Sequence, residues 1–258
     1  MTKILGEFHE KVALVTGGGG GIGRAVALAF AEAGAVVVVC DIVRSNAEET
    51  VSLIEGIGGK GRVVQMDVSK SEDVRRMVAT AVNEFGGLNL ACNAAAIDLE
   101  RVPLAECPEE IFDQVIAVNL RGMFLCLKYE IRQMLRNGGG AIVNISSVTA
   151  FRARGDNNAS YSASKAGLVA LSRNAAMRYA QEGVKVNTIL PGAIDTPMLR
   201  SSIQGMTVTA EELAQQYGAL RRFGAPSEIA QGVLWLCSDR SALVCGHALP
   251  LDGGFLVR

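Results

Sequence analysis

Seven short aliphatic, β-branched runs, at residues 12–16, 35–41, 62–67, 88–93, 141–146, 184–190 and 248–251, set the tightest limit on what this chain can fold into. Several are apolar at consecutive positions rather than at every second one, as in Val36-Val37-Val38-Val39-Cys40. A strand of that kind has no face to offer water, so it belongs in a parallel sheet covered by helices on both sides. The stretches between the runs are long enough to carry each strand back to the same edge through a helix, and helices are expected over 23–33, 72–85, 108–135, 161–181 and 227–237. Glycines at 34, 86 and 138–140 mark helix exits. No linker, repeat or low-complexity tract divides the chain, so residues 1–258 are expected to form one domain. The alternation lapses over 193–218, where Asp195, Thr196 and Pro197 precede a polar stretch with Thr207, Thr209 and Glu211. A connection of that length is expected to be a lid over a binding site.

Composition removes several classes of function. A net charge of −1 over 258 residues gives nothing with which to neutralise a phosphate backbone, so no nucleic-acid partner is expected. No apolar run approaches the roughly 20 residues that span a bilayer, and the first residues lack the apolar core of a secretory signal. Six cysteines at 40, 92, 107, 126, 237 and 245 form no CxxC pair, and read as small buried hydrophobes in a reducing cytoplasm. His9 and His247 are too few and too far apart for a metal site, and no metal is expected. Met77, Met123 and Met134 read as core.

The first apolar run leads directly into Thr16-Gly17-Gly18-Gly19-Gly20-Gly21-Ile22-Gly23, and a helix follows. Glycine suits such a turn because it takes positive φ freely and lets a pyrophosphate approach the backbone, while the helix N-terminus offers unpaired N–H groups. The second run ends at Asp41, whose carboxylate can accept both adenosine ribose hydroxyls and repels a 2′-phosphate. No Arg lies in the glycine loop or directly after Asp41, which favours NAD over NADP, although Arg24 and Arg44 are near. These features fit an α/β, Rossmann-type doubly wound parallel sheet of about seven strands with helices on both faces.

Tyr161-Ser162-Ala163-Ser164-Lys165 opens a helical pattern, and its i, i+4 spacing puts phenol and ammonium on one face. A fixed cation beside a tyrosine is expected to favour phenolate and make it a usable base, since each pKa unit reflects about 1.4 kcal/mol. Ser147 closes an earlier strand at the edge where ligands bind in such sheets, and its neighbour Ser146 can equally take that place.

Taken together, Thr16-Gly-x-x-x-Gly21-Ile22-Gly23, Asp41, Asp67-Val68, Asn93, Asn119, Ser147, Tyr161-x-x-x-Lys165, Pro191-Gly192 with Thr196, and Asp252-Gly253-Gly254 resemble the short-chain dehydrogenase/reductase family, single-domain branch, over nearly the whole chain. The resemblance implies that Tyr161 exchanges a proton with the substrate oxygen while the nicotinamide exchanges a hydride. It implies that Lys165 binds the nicotinamide ribose and lowers the tyrosine pKa, that Ser147 hydrogen-bonds the substrate oxygen, and that Asn119 holds the helix backbone and the water of a proton relay. Gly17, Gly21, Ile22, Gly23, Asp41, Asp67, Val68, Asn93, Pro191, Gly192, Ile194 and Thr196 would complete the cofactor site. A homotetramer is implied, paired through helices 108–135 and 161–181 and through the C-terminal helix and strand, covering Trp235, Phe255 and Leu256. Two departures stand out. The family's usual Asn-Asn-Ala-Gly reads Asn93-Ala94-Ala95-Ala96 here, and the Ser147-to-Tyr161 stretch is one residue longer than the family's spacing, with Arg152, Arg154, Asp156, Asn157 and Asn158 inside it.

The expected activity is therefore NAD-dependent hydride exchange with a small secondary alcohol or ketone, neutral and mainly apolar, under a lid containing Met198, Leu199, Ile203 and Met206. A cis-dihydrodiol dehydrogenase and a 3-oxoacyl-thioester reductase are alternatives. A catalytically silent dinucleotide-binding scaffold is a third, but it would need none of Asn119, Ser147, Tyr161 and Lys165.

Overall fold

Strands that are apolar on both sides need two cores, and the molecule provides them. The computed structural model describes residues 6–152, 158–204 and 209–258. Its strands are β1 (Val12–Thr16), β2 (Val36–Asp41), β3 (Lys60–Gln65), β4 (Leu90–Asn93), β5 (Gly140–Ile145), β6 (Val184–Pro191) and β7 (Ala248–Leu251). The helices are α1 (Gly21–Glu32), α2 (Arg44–Gly56), α3 (Ser71–Phe85), α4 (Glu109–Ile116), α5 (Met123–Arg136), α6 (Ala159–Tyr179), α7 (Pro197–Ser202), α8 (Ala210–Gln216) and α9 (Pro226–Cys237). All seven strands join one parallel sheet in the order β3-β2-β1-β4-β5-β6-β7. Ala13 and Val15 of β1 pack with α1, α2 and α9 through Val26, Phe30, Ile54 and Val233. Val12 and Leu14, pointing the other way, pack with α3, α5 and α6 through Met77, Met123, Met134 and Leu168. Because β2 and β4 leave β1 on opposite sides, the loops after β1 and β4 diverge and open a crevice at the carboxyl edge of the sheet.

Several expectations need correction. β3 lies two residues earlier than expected, which leaves Asp67 and Val68 in the turn beyond it. Helix α2 fills a connection for which the sequence offered no helix range. Its buried face, Ala47, Thr50, Val51 and Ile54, has helical spacing, but a small and a polar residue disguise it. The long helix expected over 108–135 is α4 and α5 joined by a π-helical turn, Ala117–Gly122. Phe255 and Leu256 are partly covered within the chain itself. Phe255 stacks on Tyr217 with centroids 4.8 Å apart, and Phe255 and Leu256 pack against Val148, Val169 and Leu190. Trp235 stays 37% exposed. The polar excursion contains α7 and α8, while Met206 and Thr207, like Arg154, Asp156 and Asn157, lie outside the described residues. The six cysteines are free thiols. Among the described residues no helix is long and apolar enough to cross a membrane.

A chain of buried polar groups fastens the centre of the sheet. Asn93 Nδ2 donates to Glu130 Oε2 at 2.9 Å and to Asn144 Oδ1 at 3.0 Å, and Asn144 Nδ2 donates to Ser172 Oγ at 2.8 Å. Strands β4 and β5 are thereby tied to α5 and α6. Glu130 is fully buried, its Oε1 has no hydrogen-bond partner, and burial pushes its carboxyl up to about 7 against the opposing bond from Asn93. An acid whose folded pKa is raised stabilises the fold least when ionised. Glu130 therefore contributes fully below the unfolded value of 4.5, and the contribution is lost as pH rises through about 7. Glu130→Gln should remove that loss, about 3 kcal/mol of wild-type stability between about pH 5 and about pH 8. Denaturant unfolding at both values checks it, and parallel pH dependence in the two proteins would contradict it.

Candidate active site

The glycine loop is shaped by contacts that exclude a side chain. Gly17 has φ of 65°, and a Cβ there would lie 2.9 Å from the Ala95 backbone. A Cβ on Gly23 would lie 2.1 Å from the Gly17 carbonyl oxygen, so α1 packs directly on the turn that precedes it. Beside Gly20, by contrast, there is open space. No side chain caps α1 and its first turn holds no acid, which leaves its N–H groups and the positive end of a 12-residue helix dipole available to an anion. Asp41 Oδ2 accepts the Gly19 N–H at 2.9 Å, and Oδ1 accepts that of Val43 at 2.9 Å. The carboxylate is thus held at the mouth of the loop with lone pairs to spare. The two nearby arginines are engaged elsewhere: Arg24 with the Gly19 carbonyl and Glu49, Arg44 with Glu48.

From this loop a cavity of about 420 Å³ runs along the carboxyl edge. It is lined by Gly17, Gly21, Ile22, Gly23 and Asp41, by Ser147, Tyr161 and Lys165, and by Pro191, Gly192, Ile194 and Thr196, so most of the residues singled out in the sequence come together. Met198 and Leu199 of α7 border it as well. Four of the singled-out residues are absent from the lining. Asp67 accepts the Ser69 N–H and hydroxyl, Val68 is buried against Gly122, and Asn93 belongs to the network beneath the sheet. Asn119 sits fully buried in the π-helical turn, where its side chain accepts the Ile97 N–H and donates to the Ile97 carbonyl, each at 2.8 Å, and donates to Ser164 Oγ at 3.3 Å. Asp98 borders the cavity and was not anticipated. Its signal was a charged residue soon after the apolar end of β4, at the edge where such sheets bind ligands.

The choice between the two serines is settled by their partners. Ser146 Oγ donates to the Lys165 carbonyl at 2.8 Å, pinning α6 to the end of β5, whereas Ser147 hydrogen-bonds the Tyr161 phenol. Lys165 Nζ donates to the Ile145 carbonyl at 2.9 Å and lies 5.4 Å from the centre of the Tyr161 ring. Its side chain is almost wholly buried, and that burial pulls the ammonium down to about 8. The Tyr161 phenol moves in the direction opposite to the sequence expectation. Burial raises it, the Asp98 carboxylate raises it further, and the Ser147 hydrogen bond opposes both. Loss of water outweighs the neighbouring cation in the chain by itself.

Comparison with known proteins fits this architecture. A family model described as Enoyl-(Acyl carrier protein) reductase matches residues 18–256. The chain is 40% identical over 246 residues to a short chain dehydrogenase/reductase, astE, of Aspergillus oryzae, covering 95% of this chain and 94% of that one. It is 38% identical over 252 residues to a 2,5-dichloro-2,5-cyclohexadiene-1,4-diol dehydrogenase of Sphingobium indicum, covering 97% and 99%. Its fold superposes on carveol dehydrogenase from Mycobacterium avium in complex with NAD with a TM-score of 0.93, at 26% identity and over 98% of this chain and all of that one. A doubly wound sheet with a glycine loop at its switch point and a Ser-Tyr-Lys cluster beside it defines a class of nucleotide-dependent oxidoreductases. This chain belongs to the short-chain dehydrogenase/reductase family.

The burial of Lys165 has a measurable consequence. A base whose folded pKa is lowered penalises folding below that value, and the penalty vanishes as pH rises past the unfolded 10.5. Lys165→Met keeps the stem and removes the charge, at the loss of one hydrogen bond worth about 1 kcal/mol. At about pH 7 the cofactor-free variant should be more stable by about 1–2 kcal/mol, with the gain shrinking as pH is raised. Thermal melts across pH check this; a lower Tm at neutral pH would contradict it.

Proposed function

We propose that this protein interconverts a small secondary alcohol and its ketone by NAD-dependent hydride transfer, with Tyr161 as general acid/base. The observation that carries the reading is the Tyr161 phenol, hydrogen-bonded by Ser147 and set beside the buried Lys165, at a cavity that continues to the glycine loop and Asp41. The open space beside Gly20, the uncapped N-terminus of α1 and the Asp41 carboxylate suit the pyrophosphate and ribose of NAD, and the engagement of Arg24 and Arg44 with glutamates leaves no guanidinium assigned to a 2′-phosphate. Carveol dehydrogenase, which shares the fold, holds NAD. When bound, NAD supplies the hydride acceptor and the positive charge of its oxidised ring.

The protein's own groups do the rest. Lys165 uses one of its three donors on the Ile145 carbonyl and has two for ribose hydroxyls. Ser147 holds the substrate oxygen. Ionised Tyr161 takes the hydroxyl proton as the carbinol hydrogen leaves with its electron pair, and returns a proton in the reverse direction. Asn119 acts at one remove, tying the segment beyond β4 at Ile97 to the helix bearing Tyr161. Asp67, Val68 and Asn93 would border an adenine or frame the nicotinamide once the crevice is filled. Residues 1–258 then form one catalytic unit, with Met198 and Leu199 of segment 193–218 closing an apolar lid over the substrate. Half-exposed Phe112 and Phe124 on α4 and α5 support association into a homotetramer, and six free thiols support a reducing cytoplasm.

Tyr161→Phe should lower kcat by roughly a hundredfold or more while leaving the Kd for NAD within about twofold, because the phenol acts on substrate. NAD should bind at least about tenfold more tightly than NADP, a gap of about 1.4 kcal/mol that Asp41→Ala should narrow. Cofactor titration and turnover of a secondary alcohol measure both. A Tyr161→Phe protein that keeps most of its kcat, or equal affinity for the two cofactors, would refute the reading.

A further inference from the structure

Among the described residues, the acidic side chain that borders the cavity and acts on the Tyr161 phenol is Asp98, and nothing in the chemistry above uses it. Its place is fixed from both sides. One residue before it, the Ile97 backbone is held twice by Asn119. Two residues after it, the buried Glu100 carboxylate accepts the Ser160 N–H at 2.7 Å and the Ser160 hydroxyl, next to Tyr161 in the chain. Arg101 then fixes Asp98 itself, with Nη1 at 3.3 Å from Oδ1 and Nη2 at 2.9 Å from the backbone carbonyl. The Asp98 side chain is only 14% exposed. Among the described residues, no group hydrogen-bonds its Oδ2. Ala95, Ala96, Met198 and Leu199 add apolar surface to the same cavity.

A half-desolvated carboxylate oxygen with no donor is a cost, and a ligand that brings a donor relieves it. The same carboxylate makes the Tyr161 phenol harder to ionise, so a donor that draws charge out of it also favours the reactive phenolate. Arg101 already sets a positive charge against Oδ1, so an uncharged hydroxyl suits the remaining oxygen better than a second cation. Resting on the dehydrogenase reading, we propose that Asp98 is a specificity-determining residue that accepts a hydrogen bond from a second hydroxyl of the substrate, making this enzyme selective for diols over mono-alcohols. The pocket is therefore apolar in its walls with one built acceptor, which refines the mainly apolar substrate expected from the sequence.

Cyclohexanol and the cyclohexanediol isomers, matched in ring and differing by one hydroxyl, test this in steady-state oxidation with NAD. In the wild-type enzyme the best diol should exceed cyclohexanol in kcat/KM by at least about tenfold, equivalent to about 1.4 kcal/mol. Asp98→Ala should bring that ratio to about one, and Asp98→Asn, which keeps a neutral acceptor oxygen and a partner for Arg101, should retain an intermediate ratio. Thermal melts establish that each variant is folded. A wild-type ratio near one, or a ratio unchanged in folded Asp98→Ala, would overturn the proposal while leaving the dehydrogenase intact. Failure of cyclohexanol and every diol to reduce NAD would instead overturn the dehydrogenase reading, and the proposal with it.

Discussion

The ammonium of Lys165 is carried out of water with one backbone carbonyl to receive it, and the rest of the site is arranged around that unfavourable placement. Two reciprocal bonds, Lys165 Nζ to the Ile145 carbonyl and Ser146 Oγ to the Lys165 carbonyl, lock α6 against the end of β5. Tyr161 lies one turn away on the same helix and meets Ser147 from that strand end. Burial works against each charge separately: it lowers the ammonium and raises the phenol. A phenolate and an ammonium formed together attract one another in a poorly screened setting. The chain alone favours the neutral phenol, and on the proposed mechanism a further positive charge entering the cavity would tip it toward a base.

Such a site needs a rigid frame, and the frame is polar as well as apolar. Asn93, Asn144, Glu130 and Ser172 form a continuous buried link from the central strands to α5 and α6. Where the family's usual second asparagine and glycine are Ala94 and Ala96, the backbone N–H groups of Ala94 and Ala95 bond Thr16 Oγ1 at 3.2 and 3.3 Å, so the β1–β4 junction keeps its ties. The π-helical turn between α4 and α5 widens the helix at Asn119, whose side chain then reaches Ile97 instead of solvent. Asp98 and Tyr161 are thus set by hydrogen bonds made on elements far apart in the sequence.

Much of this could be read before any coordinates. Most strands were legible because they are apolar on consecutive residues, and the glycine loop because its position between strand and helix gives glycine a physical reason. Tyr161 and Lys165 were legible from their spacing and Ser147 from a strand end, although its rivalry with Ser146 needed the Lys165 carbonyl to resolve. What stayed hidden depended on long-range contact. Helix α2 conceals its buried stripe behind Ala47 and Thr50, and the π-helical turn leaves no mark in the periodicity. Phe255 looked uncovered because Tyr217, its stacking partner, comes from the excursion whose path the sequence does not fix. The direction in which the phenol shifts was missed because spacing reveals a neighbouring charge but not the loss of water around it.

The central claim is that the chain by itself keeps Tyr161 protonated and that the bound cofactor reverses this. Ultraviolet difference titration of tyrosinate, taken as wild type minus Tyr161→Phe, with and without saturating NAD, measures it directly. Without cofactor the phenol should ionise above the ordinary value of about 10, and with oxidised cofactor bound it should ionise below that value. Equal midpoints in the two titrations, or a midpoint already depressed in the cofactor-free protein, would contradict the account.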